Sequence, residues 1–239
     1  MVCQAVFRSL AVVFLLTALC SGQSLTPDEA VDQYLTVSGD RQPGCSDGVF
    51  AVHIDASLPN REKQGSMSGL KVVSRAGPTV YSGLQFTGDN LVKTAVIARF
   101  LANDVKPTER VAGIAVTRQN YSFAYSRRSE YNGIVAYVFR LTPMRKQTGL
   151  LRGELWLDAA TAAPLRLWGD FVKSPSLFVR KIRVVQDYQS IGHCFQPLRL
   201  LVTAEAPIVG KVDMAVWLHP IDCESAAAIV RCGSTGIGQ

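Results

Sequence analysis

The chain has 239 residues, of which 48% are hydrophobic and 18% are charged, a balance that allows one sizeable core and excludes a disordered chain. The formal net charge of +6 is compatible with contact to an acidic surface such as lipid head groups. No basic run or recognition motif accompanies that charge, so nucleic acid is not an expected partner.

The N-terminus has the features of a secretory signal peptide. Arg8 precedes an apolar run from Leu10 to Cys20, and the small and polar residues SGQS follow. We predict that residues 1–23 are removed and that the mature protein is exported, to the periplasm in a bacterial cell. Leu19 before Cys20 disfavours a lipoprotein signal. No apolar window long enough to span a membrane follows the predicted signal peptide.

Four cysteines remain in the expected mature chain, and in an exported protein they suggest two disulfides. Three pairings are possible. Proximity in the sequence favours Cys223 with Cys232, which leaves Cys45 with Cys194, and free buried thiols are the alternative. No CxxC or histidine-rich spacing accompanies these cysteines, so no metal site is predicted.

Two helices are predicted. The first begins at Thr26-Pro27-Asp28-Glu29, which has a capping box and a proline at the first helical position. Its apolar face consists of Ala30, Val31, Tyr34 and Leu35. The second helix begins at Asp89-Asn90, covers residues 91–104, and has its apolar face at Leu91, Ala95, Ala98 and Leu101, widened by Val92, Val96 and Phe100.

The rest of the chain reads as strands joined by short turns. Alternation runs from Val49 to Leu58, residues 59–66 are predicted as a turn, and short strands follow at 68–75 and 79–86. Seven more strands are predicted at 120–128, 133–143, 150–158, 164–173, 176–188, 196–206 and 209–220. Tight connections without helices indicate an antiparallel meander that curls into a half-barrel. The predicted fold is α+β, with two helices over the concave face of one domain, residues 24–220, and a cysteine-bearing tail, residues 221–239.

Patterns associated with catalysis are weak. The pentapeptide 44–48 matches GxSxG at Ser46, but it leads into a strand, whereas a nucleophile elbow leads from a strand into a helix. His53, His193 and His219 are widely spaced, and Glu154 and Asp158 are explained as solvent-facing positions of one strand. The chain is therefore predicted to be non-enzymatic and to need no cofactor.

Several strands are apolar on both faces, and only two helices are available to cover them. A curled sheet with sparse cover leaves a concave apolar surface, which is a common setting for an acyl-chain site. The alternative, that side chains fill this space, stays open at this point.

Residues 150–220 carry a recognisable pattern. It comprises GELWLD (153–158), PLR (164–166), GDFVKSPS (169–176) with FVRK (178–181), the strand end DY (187–188) and Gly210. This pattern resembles the LolA-like, outer-membrane lipoprotein-sorting group of bacterial periplasmic proteins. The resemblance implies an unclosed antiparallel barrel whose helices form a lid over an apolar cavity. Members carry lipoprotein acyl chains or serve as lipid-binding or envelope-stress-sensing domains.

The resulting hypothesis is an exported binding protein that holds a lipid or lipoprotein acyl chain. The candidate cavity residues are Val138, Leu155, Leu157, Leu165, Leu167, Phe171, Phe178, Ile182 and Val184, although an error of one residue in strand parity would exchange this set for its neighbours. Candidate rim cations for anionic head groups are Lys173, Arg180, Lys181 and Arg183. The alternatives are a sensor or scaffold that binds an envelope protein partner and, more remotely, a secreted hydrolase using Ser46.

Overall fold

The computed structural model describes residues 25–39, 48–73, 78–105, 114–174, 179–191, 194–207 and 210–221. The predicted signal peptide, the Ser46 pentapeptide up to Asp47, and Cys45, Phe178, His193, Cys223 and Cys232 lie outside the described residues. So does the side chain of Cys194, and the disulfide pairing therefore stays a prediction.

Within the described ranges, ten strands form one antiparallel sheet. In spatial order they run β3-β2-β1-β10-β9-β8-β7-β6-β5-β4. Their bounds are β1 Gly48–Leu58, β2 Lys63–Val73, β3 Val80–Gly88, β4 Tyr121–Tyr131, β5 Ile134–Pro143, β6 Leu151–Asp158, β7 Pro164–Phe171, β8 Arg180–Ile191, β9 Cys194–Ala206 and β10 Gly210–Ile221.

The predicted α+β architecture with an unclosed sheet is confirmed. Strands β4 to β10 form the expected meander, and β1 pairs with β10 along a register that runs from Val49 opposite Ile221 to Ser57 opposite Asp213. Strands β3 and β4 form the two edges and do not pair with each other. Strands β1 to β3 therefore add to the meander beside β10, and the sheet does not close into a barrel.

The prediction of a long turn at 59–66 is wrong. A single 3-10 turn, Pro59–Arg61, is followed by Glu62 in the left-handed conformation (φ 53°), and Lys63 already pairs with Leu58. Strand β2 therefore begins five residues earlier than expected, at Lys63 instead of Ser68. Its polar residues Gln64 and Ser66 alternate with Gly65 and buried Met67, which is the pattern of a half-buried strand.

The two helices lie on the same side of the sheet, which we call the helix-covered face; the other side is the open face. Two apolar clusters form beneath the helices. The first cluster joins α1 (Pro27–Gly39) to β4, β5, β6 and β7, and the second joins the helix of residues 90–104, α2, to β1, β2 and β10. The core is thus divided in two along the width of the sheet.

Helix α1 begins as the sequence predicts. The Thr26 backbone N–H donates to Glu29 Oε2 at 2.8 Å and the Glu29 N–H donates to Thr26 Oγ1 at 3.3 Å, which is a closed capping box. The predicted apolar face is also confirmed, with Ala30, Val31 and Tyr34 buried. The residues before the helix attach to the sheet, because Tyr137 Oη donates to the Leu25 carbonyl at 2.6 Å.

Helix α2 contains an irregularity that the sequence pattern did not show. It consists of an α-helical turn, Asn90–Val92, a π-helical segment, Lys93–Ile97, and an α-helical segment, Ala98–Asp104. The side chain of Asp89 accepts from the Leu91 N–H at 2.8 Å and caps the first turn.

The π-helical segment adds one residue to the turn, so the buried positions are Val92, Ile97 and Leu101, at spacings of five and four. Ile97 faces the core, while Ala98, predicted on the apolar face, is exposed. The predicted apolar face is therefore confirmed at Leu101 and wrong at Ala98, and it omitted the core residue Ile97. Among the described residues no helix is both long and apolar enough to span a membrane.

Candidate functional site: an apolar seam and a polar open face

The two apolar clusters meet between β8 and β9 on the helix-covered face. Val184 packs against the first cluster and Val202 against the second, and the two residues are cross-strand partners. On the same face, Ile182 lies two residues before Val184 on β8, and Leu200 lies two residues before Val202 on β9. All four side chains are half-buried, in contrast to the fully buried positions under the helices. We call Ile182, Val184, Leu200 and Val202 the seam.

The seam exists because the helices cover the ends of the sheet. Helix α1 contacts β6, and α2 contacts β1, β2 and β3. Strands β8 and β9 lie between these regions in the strand order. Of the described residues, those of the seam are therefore the central aliphatic side chains that keep some exposure on the helix-covered face.

The predicted cavity residues do not form one surface. Leu155, Leu157 and Leu167 are buried core of the first cluster, and Phe171 is half-buried against it. Ile182 and Val184 belong to the seam.

Val138 and Leu165 lie elsewhere. Val138 pairs with Trp156 on the open face and is completely buried there, so it does not share a face with Leu155. Leu165 is buried at the bulge where the register between β6 and β7 shifts.

The predicted rim cations lie mainly on the open face. Lys181 occupies a bulge with φ 25°, which shifts the register so that Arg180 pairs with Glu205 and Arg183 pairs with Thr203. Because Glu205 and Thr203 are two residues apart on one strand, Arg180 and Arg183 share a face. The bulge thus places two of the candidate rim cations on one face although they are three residues apart in the sequence. Lys173 is exposed in the bend after β7.

Glu154 organises one half of the polar open face. It accepts two hydrogen bonds from Arg127, at 2.8 and 3.0 Å, and one from the indole N–H of each of Trp156 and Trp168, at 3.2 and 3.1 Å. The Arg127 hydrogen bonds hold the pKa of Glu154 below its usual value. Asp158 instead caps a turn by accepting from the Ala160 N–H at 2.8 Å. These carboxylates have separate structural partners and do not act as a pair.

Asp187 is the centre of a second group of polar contacts on the open face. Its carboxylate accepts from Arg166 at 2.7 Å, from Arg199 at 2.6 Å and from Tyr131 Oη at 3.0 Å. Burial alone would raise the pKa of Asp187, but the hydrogen bonds from the two arginines lower it below its usual value. The guanidinium of Arg166 also lies 4.6 Å from the centre of the Tyr131 ring. This arrangement ties β4, β7, β8 and β9 together.

Further along the open face, a shallow cleft of about 680 Å3 lies over β1, β2, β3, β9 and β10. Its lining includes the hydroxyl and carboxylate side chains of Ser57, Ser66, Thr87, Thr203, Asp55 and Asp213, beside apolar residues such as Leu201 and Ala215. Nearby, His53 contacts Ser68 Oγ at 2.9 Å and Asp55 Oδ1 at 3.1 Å. Across the described ranges, no group of three His, Cys, Asp or Glu side chains is placed to hold a metal ion.

Sequence reasoning missed Leu200 and Val202. The signal was present in the apolar run Leu200-Leu201-Val202, but its parity depends on the register shift between Asp187 and Tyr188. It also missed the cations of the turn after β5, because turns rich in Arg and Lys are ordinary at a protein surface.

Comparison with known proteins yields likenesses to solved structures alone. A putative outer membrane lipoprotein-sorting protein domain from Vibrio parahaemolyticus matches with a TM-score of 0.45 and 12% identity, over 84% of this chain and 98% of that one. The LolA superfamily protein NE2245 from Nitrosomonas europaea matches with a TM-score of 0.40 and 13% identity, over 82% and 95%. The Pseudomonas aeruginosa MucA/MucB complex contains a chain with a TM-score of 0.25 and 9% identity, over 84% and 96%.

No protein-family model and no curated protein matches the chain. Two of the matched structures are described as a LolA superfamily protein and a lipoprotein-sorting domain, which is the group that residues 150–220 resemble. Their sequence identity to this chain is low and their TM-scores are below 0.5.

Proposed function

We propose that this chain is an exported, non-enzymatic binding protein that shelters the acyl chain of a lipid or lipoprotein on the helix-covered face, within one domain of residues 24–220. The observation that carries the proposal is the seam. It is a line of half-buried aliphatic side chains between two separate cores, in the middle of the face that the helices flank.

The driving force is removal of apolar surface from water. Each methylene of a bound chain contributes about 0.8 kcal/mol, so about ten methylenes contribute roughly 8 kcal/mol before the entropy of binding is subtracted. Val184 and Val202 lose their remaining exposure at the same time. The site needs no reacting group, and shielding is the whole mechanism.

The predicted signal peptide and the LolA-like resemblance of residues 150–220 support an extracytoplasmic location, where acylated molecules cross water between membranes. The seam accepts a linear apolar chain of any origin, so a free lipid and a lipoprotein are both ligands of the proposed class. The head group or protein part of the ligand would remain outside the seam.

The test compares two adjacent residues that face opposite sides of the sheet. Val184 lies on the seam, while Val185 pairs with Leu201 on the open face. Replacing either by Thr preserves the side-chain shape and exchanges one methyl group for a hydroxyl. We expect Val184→Thr to weaken binding of a fluorescent fatty acid roughly five-fold or more, because a hydroxyl without a partner must be desolvated. Val185→Thr should leave the affinity unchanged.

Delipidated protein is used for the titration, and native mass spectrometry of protein purified from the cell envelope provides a second readout. A clean apo mass together with no binding of the fluorescent fatty acid would contradict the proposal. An equal loss in both variants would also contradict it, because the open face has no part in the proposed site.

A second candidate function, binding of an envelope protein partner, is favoured by the open face. Trp156 and Trp168 are half-buried there, with Arg127 and Arg183 placed 5.2 and 5.9 Å from their ring centres. Tryptophan and arginine are the residue types that dominate protein interfaces. Titration calorimetry with a purified partner encoded by a neighbouring gene tests this candidate. Arg183→Ala should weaken that complex and leave fatty-acid binding intact.

A further inference from the structure

One end of the sheet concentrates positive charge. Strands β5 and β7 end there and β6 and β8 begin there. In residues 142–152 and 170–183, Asp170 is the single acidic residue, and the basic residues are Arg145, Lys146, Arg152, Lys173, Arg180, Lys181 and Arg183.

Asp170 and Glu205, two acidic residues at this end, already have cationic partners. Arg183 donates to both oxygens of Asp170, at 2.8 and 2.9 Å, and Lys181 lies 3.4 Å from Glu205. With seven basic residues and one acidic residue in these two ranges, this end carries an excess of positive charge. We call Arg145, Lys146, Arg152, Lys173 and Arg180, together with Met144, the basic end.

The basic end contains a cleft of about 650 Å3. Arg145, Lys146 and Arg152 line it together with Asp170, and the apolar side chains of Phe171 and Val172 contribute to its wall. Arg145 is held in place because its Nε donates to Gln147 Oε1 at 2.7 Å. A cleft with three cations and one acid already bound to Arg183 suits a phosphate-bearing group.

Met144 projects at the same place. It is 63% exposed, the highest value among the exposed large hydrophobic side chains of the described residues. Its position is defined by the backbone, because the Met144 N–H donates to the Asn120 carbonyl at 2.8 Å. An exposed apolar side chain beside several cations combines the two interactions by which proteins attach to a bilayer surface, namely apolar insertion and attraction to anionic lipid.

We propose that the basic end docks on an anionic membrane surface, with lipid phosphates in the cleft and Met144 entering the interfacial layer. This goes beyond the proposed acyl-chain binding, because Lys146 and Arg152 lie outside the seam and attachment does not require a bound ligand. Docking places the start of β8, and hence the nearby seam residue Ile182, close to the source of lipid.

The experiment measures co-sedimentation of the purified chain with vesicles of phosphatidylcholine, with and without phosphatidylglycerol. The test variant is Lys146→Gln/Arg152→Gln. The matched control, Arg99→Gln/Arg128→Gln, removes the same charge from exposed positions on α2 and β4. Each cation near an anionic surface strengthens binding to the vesicles about five-fold. The test variant lacks two cations and should therefore bind roughly 25-fold less tightly. The control variant should bind nearly as tightly as the unmodified chain.

Met144→Ser should weaken attachment to the anionic vesicles while leaving its salt dependence unchanged, since Met144 carries no charge. Circular dichroism establishes that each variant is folded. Equal binding to both vesicle types, no binding to either, or an equal loss in the test and control doubles would overturn the proposal. Val184→Thr should sediment like the unmodified chain, so failure of membrane docking and failure of acyl-chain binding are distinguishable.

Discussion

Asp187 and Arg199 form a two-point contact across β8 and β9. Asp187 Oδ2 accepts from Arg199 Nε at 3.0 Å and from Arg199 Nη2 at 2.6 Å. The contact lies next to the register shift between Asp187 and Tyr188, and Asp187 is 4% exposed. The ion pair therefore holds β8 and β9 together where the regular ladder is interrupted.

Removing the charge at this position should be costly. In Asp187→Asn, Arg166 and Arg199 lose their carboxylate, and we expect the free energy of unfolding to fall by about 3 kcal/mol, as for other broken buried pairs. Urea unfolding followed by tryptophan fluorescence measures the change. Asp170→Asn is the matched control, since its pair with Arg183 is exposed and should contribute at most about 1 kcal/mol. Equal effects would show that burial of Asp187 is not what gives the pair its strength.

The same carboxylates determine the response to acid. The pKa values of Asp187 and Glu154 are both lowered in the folded protein. A lowered folded-state pKa contributes stability above the unfolded-state value, near 4, and that stability is lost as the pH falls through the folded-state value. The free energy of unfolding should therefore begin to drop near about pH 5 and continue to drop until the pH is below the folded-state pKa values of both carboxylates. The double variant Asp187→Asn/Glu154→Gln should be less stable at neutral pH and show a flatter profile; an unchanged slope would contradict the assignment.

The π-helical segment of α2 gives Ile97 a core position. Ile97→Ala should destabilise the protein by about 2–5 kcal/mol, because it opens a cavity between α2 and β1. Ala98→Ser, one residue further along, should change stability by less than about 0.5 kcal/mol, since this side chain is exposed. Thermal unfolding of the two variants distinguishes the observed helix from a regular one, in which Ala98 would be the sensitive position.

Gly153 allows close approach of β6 and β7. A Cβ at this position would lie 1.8 Å from the Trp168 carbonyl oxygen and 2.5 Å from the Gly169 Cα, so the backbone would have to move. We expect Gly153→Ala to cost about 1–3 kcal/mol and to change the fluorescence of Trp168. Gly48→Ala is the control, because its Cβ would meet the Phe50 ring at 3.1 Å, and a ring can shift. Similar stability for both variants would contradict this reading of the strand contact.

Local patterns predicted the elements well. The Thr26–Glu29 capping box, the buried face of α1 and the Asp89 cap follow from residues within one helical turn of each other. The meander β4 to β10 follows from alternation and short turns. The segment 59–66 was misread because its polar residues suggested a turn, whereas Gln64 and Ser66 simply occupy the open face of β2.

The site was less predictable, since it depends on which face each residue occupies. Val138 was grouped with Leu155, yet the register of β5 and β6 places it beside Trp156. The bulge at Lys181 moved Arg180 to the same face as Arg183. A single extra residue at a bulge moves every following side chain of the strand to the opposite face of the sheet. The sequence contains no strong signal for the position of that residue.

The sequence by itself determined the antiparallel meander, the helix starts and an apolar interior, because these depend on spacings of two to four residues. Only the tertiary structure decided the pairing of β1 with β10, the π-helical register of α2, the partners of Asp187 and Glu154, and the division of the core that leaves the seam. The strand pairing, the carboxylate partners and the divided core each join residues far apart in the chain. The π-helical segment is local, but its buried positions pack against strands that are distant in the sequence.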